Sequence, residues 1–262
     1  MLGASDQIAA VLAFQRSRLT RAAELIEPVP GIDGAVALFC PSLPRVWSLN
    51  TIVVTVLPDG SGLPQLFDAC DRVQGSSGLA HRRLRVLEGA DEPAFRAEAE
   101  ARGWRVDHDL VMILDGTAVR PAAPGRVSDI DRAALDVAAS IMWSQDPDGR
   151  DPEIRRQLVD QYDRWDQSAP IARRLGVVED GQVVAWCRLF GDGQIAEIDD
   201  VNVLLAQRGL GLGRMVMEAA IAAVPADQLV FLCADPEDWP RRMYERLGFE
   251  PAGRILGATR VP

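Results

Sequence analysis

The chain of 262 residues contains no lysine: all 28 basic residues are arginines, set against 38 carboxylates for a formal net charge of −10. Nucleic acids and anionic membrane surfaces are held by basic patches, so this balance argues against both and favours a cationic partner. Histidine is scarce as well, with only His81 and His108, far apart. The four cysteines, Cys40, Cys70, Cys187 and Cys233, are widely spaced in or beside apolar sequence. Neither set has metal-ligand or disulfide-framework spacing, so no metal centre is expected and the thiols read as reduced core residues. No apolar run approaches the roughly 20 residues that span a bilayer. Met1 to Ala10 lacks the basic-then-apolar order of a secretory signal, and a cytoplasmic protein is expected. The alanine- and arginine-rich style is that of a GC-rich bacterial genome. What the chain does have is 48% hydrophobic residues, enough to bury one large core or two small ones.

Composition shifts most clearly at Asp115-Gly-Thr-Ala-Val-Arg-Pro-Ala-Ala-Pro-Gly125, which has no periodicity and carries two prolines. Reading it as a linker gives domains 1–118 and 126–262. Before it, apolar periodicity predicts helices over 6–25, 63–73 and 93–102 and strands over 51–57, 83–87 and 110–114. After it, helices are predicted over 129–143 and 152–165, followed by strands over 175–178, 182–190 and 195–204.

The most informative segment comes next. Val201-Asn-Val-Leu-Leu-Ala-Gln-Arg-Gly-Leu-Gly-Leu-Gly-Arg-Met-Val216 runs from an apolar strand through spaced glycines into a helix. The stripe Leu212, Met215, Val216, Ala219, Ala220 and Ala223 marks that helix's buried face. A helix start leaves its first N–H groups unpaired, and glycines let the backbone aim several of them at one anion. Downstream, 228–233 reads as a buried strand and 238–249 as a short helix ended by Gly248, with Asp238 or Asp235 as its cap. Arg208, Gly211 and Gly213 spell R-x-x-G-x-G, and Tyr244 to Phe249 spell Y-E-R-L-G-F. In this order the two motifs resemble those of the GNAT superfamily of N-acetyltransferases, over residues 126–262. The resemblance implies an α/β (α+β) fold with a mixed, mostly antiparallel sheet flanked by helices.

A fainter echo links the halves. In the first, Val56-Leu-Pro58 leads through Asp59-Gly-Ser-Gly62 into a helix, and Gly103-Trp104 aligns with Gly248-Phe249, placing Ala99 where the second half has Tyr244. The first loop lacks an arginine matching Arg208. The first half therefore reads either as a degenerate, truncated copy in a tandem of two GNAT-like halves or as a generic α/β domain.

The resemblance also assigns chemistry. It implies acetyl-CoA as the acetyl donor, with its pyrophosphate on the backbone of Arg208, Gly209, Leu210, Gly211, Leu212, Gly213 and Arg214. The pantetheine arm would lie along Val201, Asn202 and Val203, with an N–H near Val203 polarising the thioester carbonyl. Tyr244 stands where the family places the general acid for the departing thiolate. Relatives often carry an asparagine shortly before that tyrosine; here the region is Glu237-Asp-Trp-Pro240, so the contact either passes to Asp238 or is missing.

Ile195-Ala-Glu-Ile-Asp-Asp-Val201 is unusually acidic for a central strand, and alternation puts Glu197 and Asp199 on one face and Asp200 on the other. Counted back from Val203, Glu197 and Asp199 match strand positions where the resemblance implies a base or groups that order a catalytic water; otherwise they pair with Arg188 or Arg173 or cap the strand. The function the resemblance implies is acetyl transfer to a primary amine by direct attack. The acceptor would be a small molecule or a peptide, cationic by charge complementarity, with Trp143, Gln145, Asp146, Asp148, Trp165 and Asp166 as candidate lining residues. The protein would act as a monomer or homodimer. The competing expectation is a non-catalytic module that binds and senses acyl-CoA.

Overall fold

The computed structural model describes residues 3–88, 92–117, 120–237 and 240–261. Two compact units emerge: Leu12–Leu110 with Gly253–Pro262, and Met1–Val11 with Val111–Ala252. Helix α1 (Ala4–Ala22) opens the chain.

The first unit contains β1 (Leu25–Pro28), β2 (Ala35–Phe39), β3 (Thr51–Val56), α2 (Leu63–Ser76), β4 (Arg82–Glu88) and α3 (Glu92–Ala101), and β5 (Arg105–Leu114) begins in it. β1 to β3 are antiparallel, β4 joins β3 in parallel after α2, and residues 256–260 of the final strand run antiparallel to β4. Ile52, Val54, Leu84 and Val86 point to a core shared with Leu66, Phe67, Phe95 and Trp104. The Phe67 ring lies 5.5 Å from that of Phe95 and 5.1 Å from that of Trp104. Each large side chain buried there contributes about 1.5–3 kcal/mol.

Strand alternation sends Arg83 and Arg85 to the opposite face, where they meet Asp107 at 2.7 Å and Asp109 at 3.2 Å. A side chain at Gly257 would run into the Asp107 carboxylate and the Arg83 guanidinium. Gly257→Val is therefore expected to destabilise the protein by about 1–3 kcal/mol through overpacking. Urea unfolding checks this, as a lower midpoint at unchanged slope.

The second unit contains β6 (Val127–Asp129), α4 (Arg132–Gln145), α5 (Pro152–Asp166), β7 (Ile171–Glu179), β8 (Gln182–Gly191), β9 (Ile195–Val203), α6 (Leu212–Ala223), β10 (Leu229–Ala234) and α7 (Pro240–Arg246), and β11 (Phe249–Arg260) starts in it. β6 to β9 form an antiparallel ladder, and β10 joins β9 in parallel after α6. Side-chain caps fix the helix starts: Asp131 accepts the Ala134 N–H at 2.7 Å for α4, and Asp151 accepts that of Glu153 at 2.8 Å for α5. At the other end of α6, the Arg120 guanidinium donates to the Ile221 and Val224 carbonyls, matching a cation to the negative end of the helix.

Each unit thus builds the same succession: strand, glycine loop, helix, parallel strand, helix, glycine–aromatic pair, strand. The glycines after α3 and α7, Gly103 and Gly248, both have positive φ, 75° and 94°. The aromatic that follows each, Trp104 or Phe249, is buried. The mixed, mostly antiparallel sheet flanked by helices is the fold class expected from the motifs.

Four strands went unexpected, each for a local reason. β1 is four residues long and exposed throughout, β6 is three residues, and β2 is a short continuous apolar run without alternation. β11 carries Pro251, Gly253 and Gly257 within its twelve residues, which read as breakers. β5 begins at Arg105 rather than Leu110, because its polar first half holds the aspartates that pair with β4. The cap expectation at Asp238 lies outside the described residues. Asp235 instead accepts the Glu237 N–H at 2.8 Å in the turn before α7. Among the described residues, no helix is long and apolar enough to cross a membrane.

Candidate active site

The site is made by two irregularities of β9. Its parallel ladder with β10 has only three pairs, Ile195–Leu229, Ala196–Val230 and Glu197–Phe231, so from Ile198 to Val203 its backbone on that side has no ladder partner among the described residues. On the other side, Arg188 of β8 pairs with Asp199 but Trp186 pairs with Asn202, so Asp200 and Val201 together oppose one residue. This is a β-bulge, and Asp200 sits at its turn with φ of 54°, a left-handed conformation that aspartate tolerates better than most residues. The expected alternation is corrected here. The bulge turns the Asp200 carboxylate to the Trp186 side, where it accepts the Trp186 indole N–H at 3.0 Å and the Asn202 amide at 2.7 Å. Glu197 and Asp199, paired with Phe190 and Arg188, belong to that same face.

Beyond β9 the glycine loop turns into α6. Gly209 and Gly211 have φ of 82° and 76°, and Gly211 occupies the cap position in the left-handed conformation. The first intrahelical donor is the Met215 N–H, to the Gly211 carbonyl at 3.1 Å. Among the described residues, the N–H groups from Gly209 to Arg214 donate to no backbone carbonyl. The corresponding loop of the first unit is closed on itself: the Asp59 carboxylate accepts the Ser61 hydroxyl at 2.6 Å and the Ser61 and Gly62 N–H groups at 3.1 and 3.2 Å. Those bonds, the Ser61 hydroxyl first, hold the Asp59 carboxyl below its usual range.

A cavity of ≈ 630 Å³ joins these parts, within the size range of small-molecule sites. Val201, Asn202 and Val203 line it from β9; Arg208, Gly209, Gly211, Leu212, Gly213 and Arg214 line it from the loop and helix start. Tyr244, Met243, Arg246 and Pro240 close it from α7. The Tyr244 ring is 8% exposed and stands edge-on to Phe249 at 6.3 Å, so packing fixes its direction. The Arg208 guanidinium folds back to donate to the Val203 carbonyl at 3.3 Å.

Of the residues singled out from sequence, ten therefore share one cavity, counted as three from β9, six from the loop and helix start, and Tyr244. Leu210 points away, 63% exposed. Glu197 is buried in β9 and, like Asp199, lies outside the cavity lining. Asp238 falls outside the described residues. Of the arginines offered as partners for the acidic strand, Arg188 binds Asp166 at 2.7 Å and Arg173 binds Asp129 at 2.8 Å. Asp166, a candidate for the acceptor pocket, is thereby held between Arg188 and Arg174.

Sequence reasoning passed over Asp200 and Tyr162. Burial pushes the Asp200 carboxyl up to about 6, with Arg188 pulling it back down and Asp199 adding to the rise. Burial also raises the Tyr162 phenol, as does the neighbouring Asp200 charge. It is 3% exposed, with the Arg188 guanidinium 4.5 Å from its ring centre and its hydroxyl beside the Asp200 carboxylate. The one signal available was the adjacent pair Asp199-Asp200, which no regular strand can place on a single face.

Comparisons with known proteins bear on this geometry. Residues 138–249 match the sequence profile of the acetyltransferase (GNAT) family. No curated protein matches the chain significantly in sequence. Among solved structures, a conserved protein of unknown function from Staphylococcus epidermidis superimposes with a TM-score of 0.68 at 15% identity, covering 90% of this chain and 94% of that one. A GCN5-related N-acetyltransferase from Kribbella flavida gives 0.67 at 18% identity, covering 97% and 95%. A tandem GNAT protein from the clavulanic acid biosynthesis pathway, solved without AcCoA, gives 0.51 at 18% identity over 99% and 96%. At these identities the likeness is one of fold.

Proposed function

Since residues 138–249 form a GNAT-family acetyltransferase domain, we propose that the protein is an acetyl-CoA-dependent N-acetyltransferase that moves an acetyl group to a primary amine by direct attack. One observation carries this reading: a single cavity is lined both by the unspent N–H groups of the glycine loop and by the Tyr244 phenol. The loop would hold the pyrophosphate, helped by the positive end of α6. Val201, Asn202 and Val203, freed from β10, would pair with the pantetheine arm and polarise the thioester carbonyl. Tyr244 would protonate the departing thiolate, and Glu197 and Asp199 would serve as base or order the water that removes the amine's proton. The acceptor is a small-molecule or peptide amine, cationic to suit the chain's charge of −10, and the reaction runs in the cytoplasm.

Thiol release from acetyl-CoA, followed across a panel of primary amines, tests this directly. Turnover with at least one amine is expected, together with thermal stabilisation by acetyl-CoA of about 2.7 kcal/mol at a hundred times Kd. Stabilisation without release for any amine would favour the sensing module, whose sequence support is Glu237-Asp238 in place of the family's asparagine.

A further inference from the structure

The Arg208 guanidinium lies against a backbone atom that the proposed donor would also need. Leu204 donates its N–H to the Val184 carbonyl of β8 at 2.9 Å. A trans peptide holds its carbonyl opposite its N–H, so the Val203 carbonyl points away from β8, to the side on which β9 has no ladder partner among the described residues. An amide-bearing arm laid along that side would pair with β9 as an added strand does. The helical turn Leu205–Gln207 then doubles the chain back, and the Arg208 Nε–H donates to this same carbonyl at 3.3 Å. Val203 and Arg208 both line the cavity.

Charge decides what would move the guanidinium. Among the described residues no carboxylate lines the cavity, and Arg208 makes no ion pair. Arg214, on the same wall, is held by Glu218 at 2.7 Å. Arg208 is thus a cation resting on a neutral oxygen, directly before the N–H groups of Gly209 to Arg214 that donate to no backbone carbonyl. A guanidinium grips a phosphate through two parallel charge-assisted hydrogen bonds, each stronger than one to a neutral carbonyl. A diphosphate on the loop would draw Arg208 off Val203, whereas an uncharged ligand would have to displace it unaided.

We propose that Arg208 selects the donor: its side chain keeps the Val203 carbonyl from pantetheine thioesters that lack a diphosphate and yields it to those that carry one. This rests on the acetyl-CoA reading above and adds to it a discrimination against the bare arm. One hydrogen bond covers the carbonyl for most but not all of the time, and a ligand that must wait for the uncovered fraction binds more weakly in proportion, by about threefold to tenfold. Removing the side chain lifts that penalty from a phosphate-free donor. From a donor with a diphosphate it takes away a charge-assisted contact, at a cost of about tenfold.

The test is equilibrium binding of two donors to the full chain: acetyl-CoA, and S-acetylpantetheine, which ends in a hydroxyl where the diphosphate would begin. Arg208→Ala and Arg208→Met, the second keeping an apolar stem, are measured beside wild type. In both variants acetyl-CoA affinity is expected to fall about tenfold while S-acetylpantetheine affinity rises about threefold to tenfold. The opposite signs separate selection from a mere brace for the loop, whose loss would weaken both donors together and lower the unfolding midpoint. S-acetylpantetheine affinity no higher in either variant than in wild type, with acetyl-CoA still bound by wild type, overturns the proposal and leaves the acetyl-CoA reading standing. A wild type that binds no acetyl-CoA overturns that reading, and the proposal falls with it.

Discussion

Gly211→Glu is expected to abolish acetyl-CoA binding, with affinity falling by at least about 10³-fold, equivalent to roughly 4 kcal/mol. Two effects act together. Gly211 holds φ of 76°, where any L-residue costs roughly 1–2 kcal/mol, and the space around its missing Cβ is open, on the wall of the cavity. A glutamate there brings a negative charge to the place where, on the proposed reading, six N–H groups would hold a phosphate. Gly211→Ala separates the two, since it carries the backbone strain without the charge or the reach, and a loss of about tenfold is expected. Titration calorimetry reads both variants. Unfolding without ligand should show similar small losses of stability for each, which places the difference in binding. Unchanged affinity in Gly211→Glu would remove the phosphate role from this loop.

The second large effect falls on turnover. Tyr244→Phe removes a hydroxyl while the ring stays packed against Phe249, so the cavity wall keeps its shape. A positioned general acid is worth about 10²–10⁴-fold, and the thiolate is a good enough leaving group to put this case near 10². Acetyl-CoA affinity should hold, because the proposed pyrophosphate and pantetheine contacts come from β9 and the loop. Single-turnover kinetics, in which product release cannot mask chemistry, are the measurement to use. Full single-turnover rate in Tyr244→Phe would return the tyrosine to a packing role.

How much of this was legible beforehand depended on whether a local pattern carried it. The glycine loop and α6 could be read because positive φ, helix periodicity and cap position each leave a residue-type mark, and Gly209, Gly211 and Leu212 stand where those marks put them. The repeat of the two units was visible through Gly103-Trp104 and Gly248-Phe249, whose glycines share the left-handed conformation. The bulge left almost no mark. It is a register shift between β8 and β9, a non-local fact, and alternation counted along one strand assigned Asp200 to the wrong face. The Asp166 pairing with Arg188 was equally hidden, because α5 and β8 are brought together by packing rather than by spacing in sequence. β11 was masked by its own proline and glycines, although Gly257 is required there for the Arg83–Asp107 pair to cross.

The measurement that bears most directly on the central claim is a crystal structure of the full chain soaked with acetyl-CoA. The expected density puts the pyrophosphate on the N–H groups of Gly209 to Arg214, the pantetheine arm beside Val201 to Val203, and the sulfur within hydrogen-bond reach of the Tyr244 hydroxyl. The loop of the first unit should remain empty, its N–H groups already taken by Asp59. Phosphate density at Gly60 to Leu63, or a thioester lying away from Tyr244, would contradict the account.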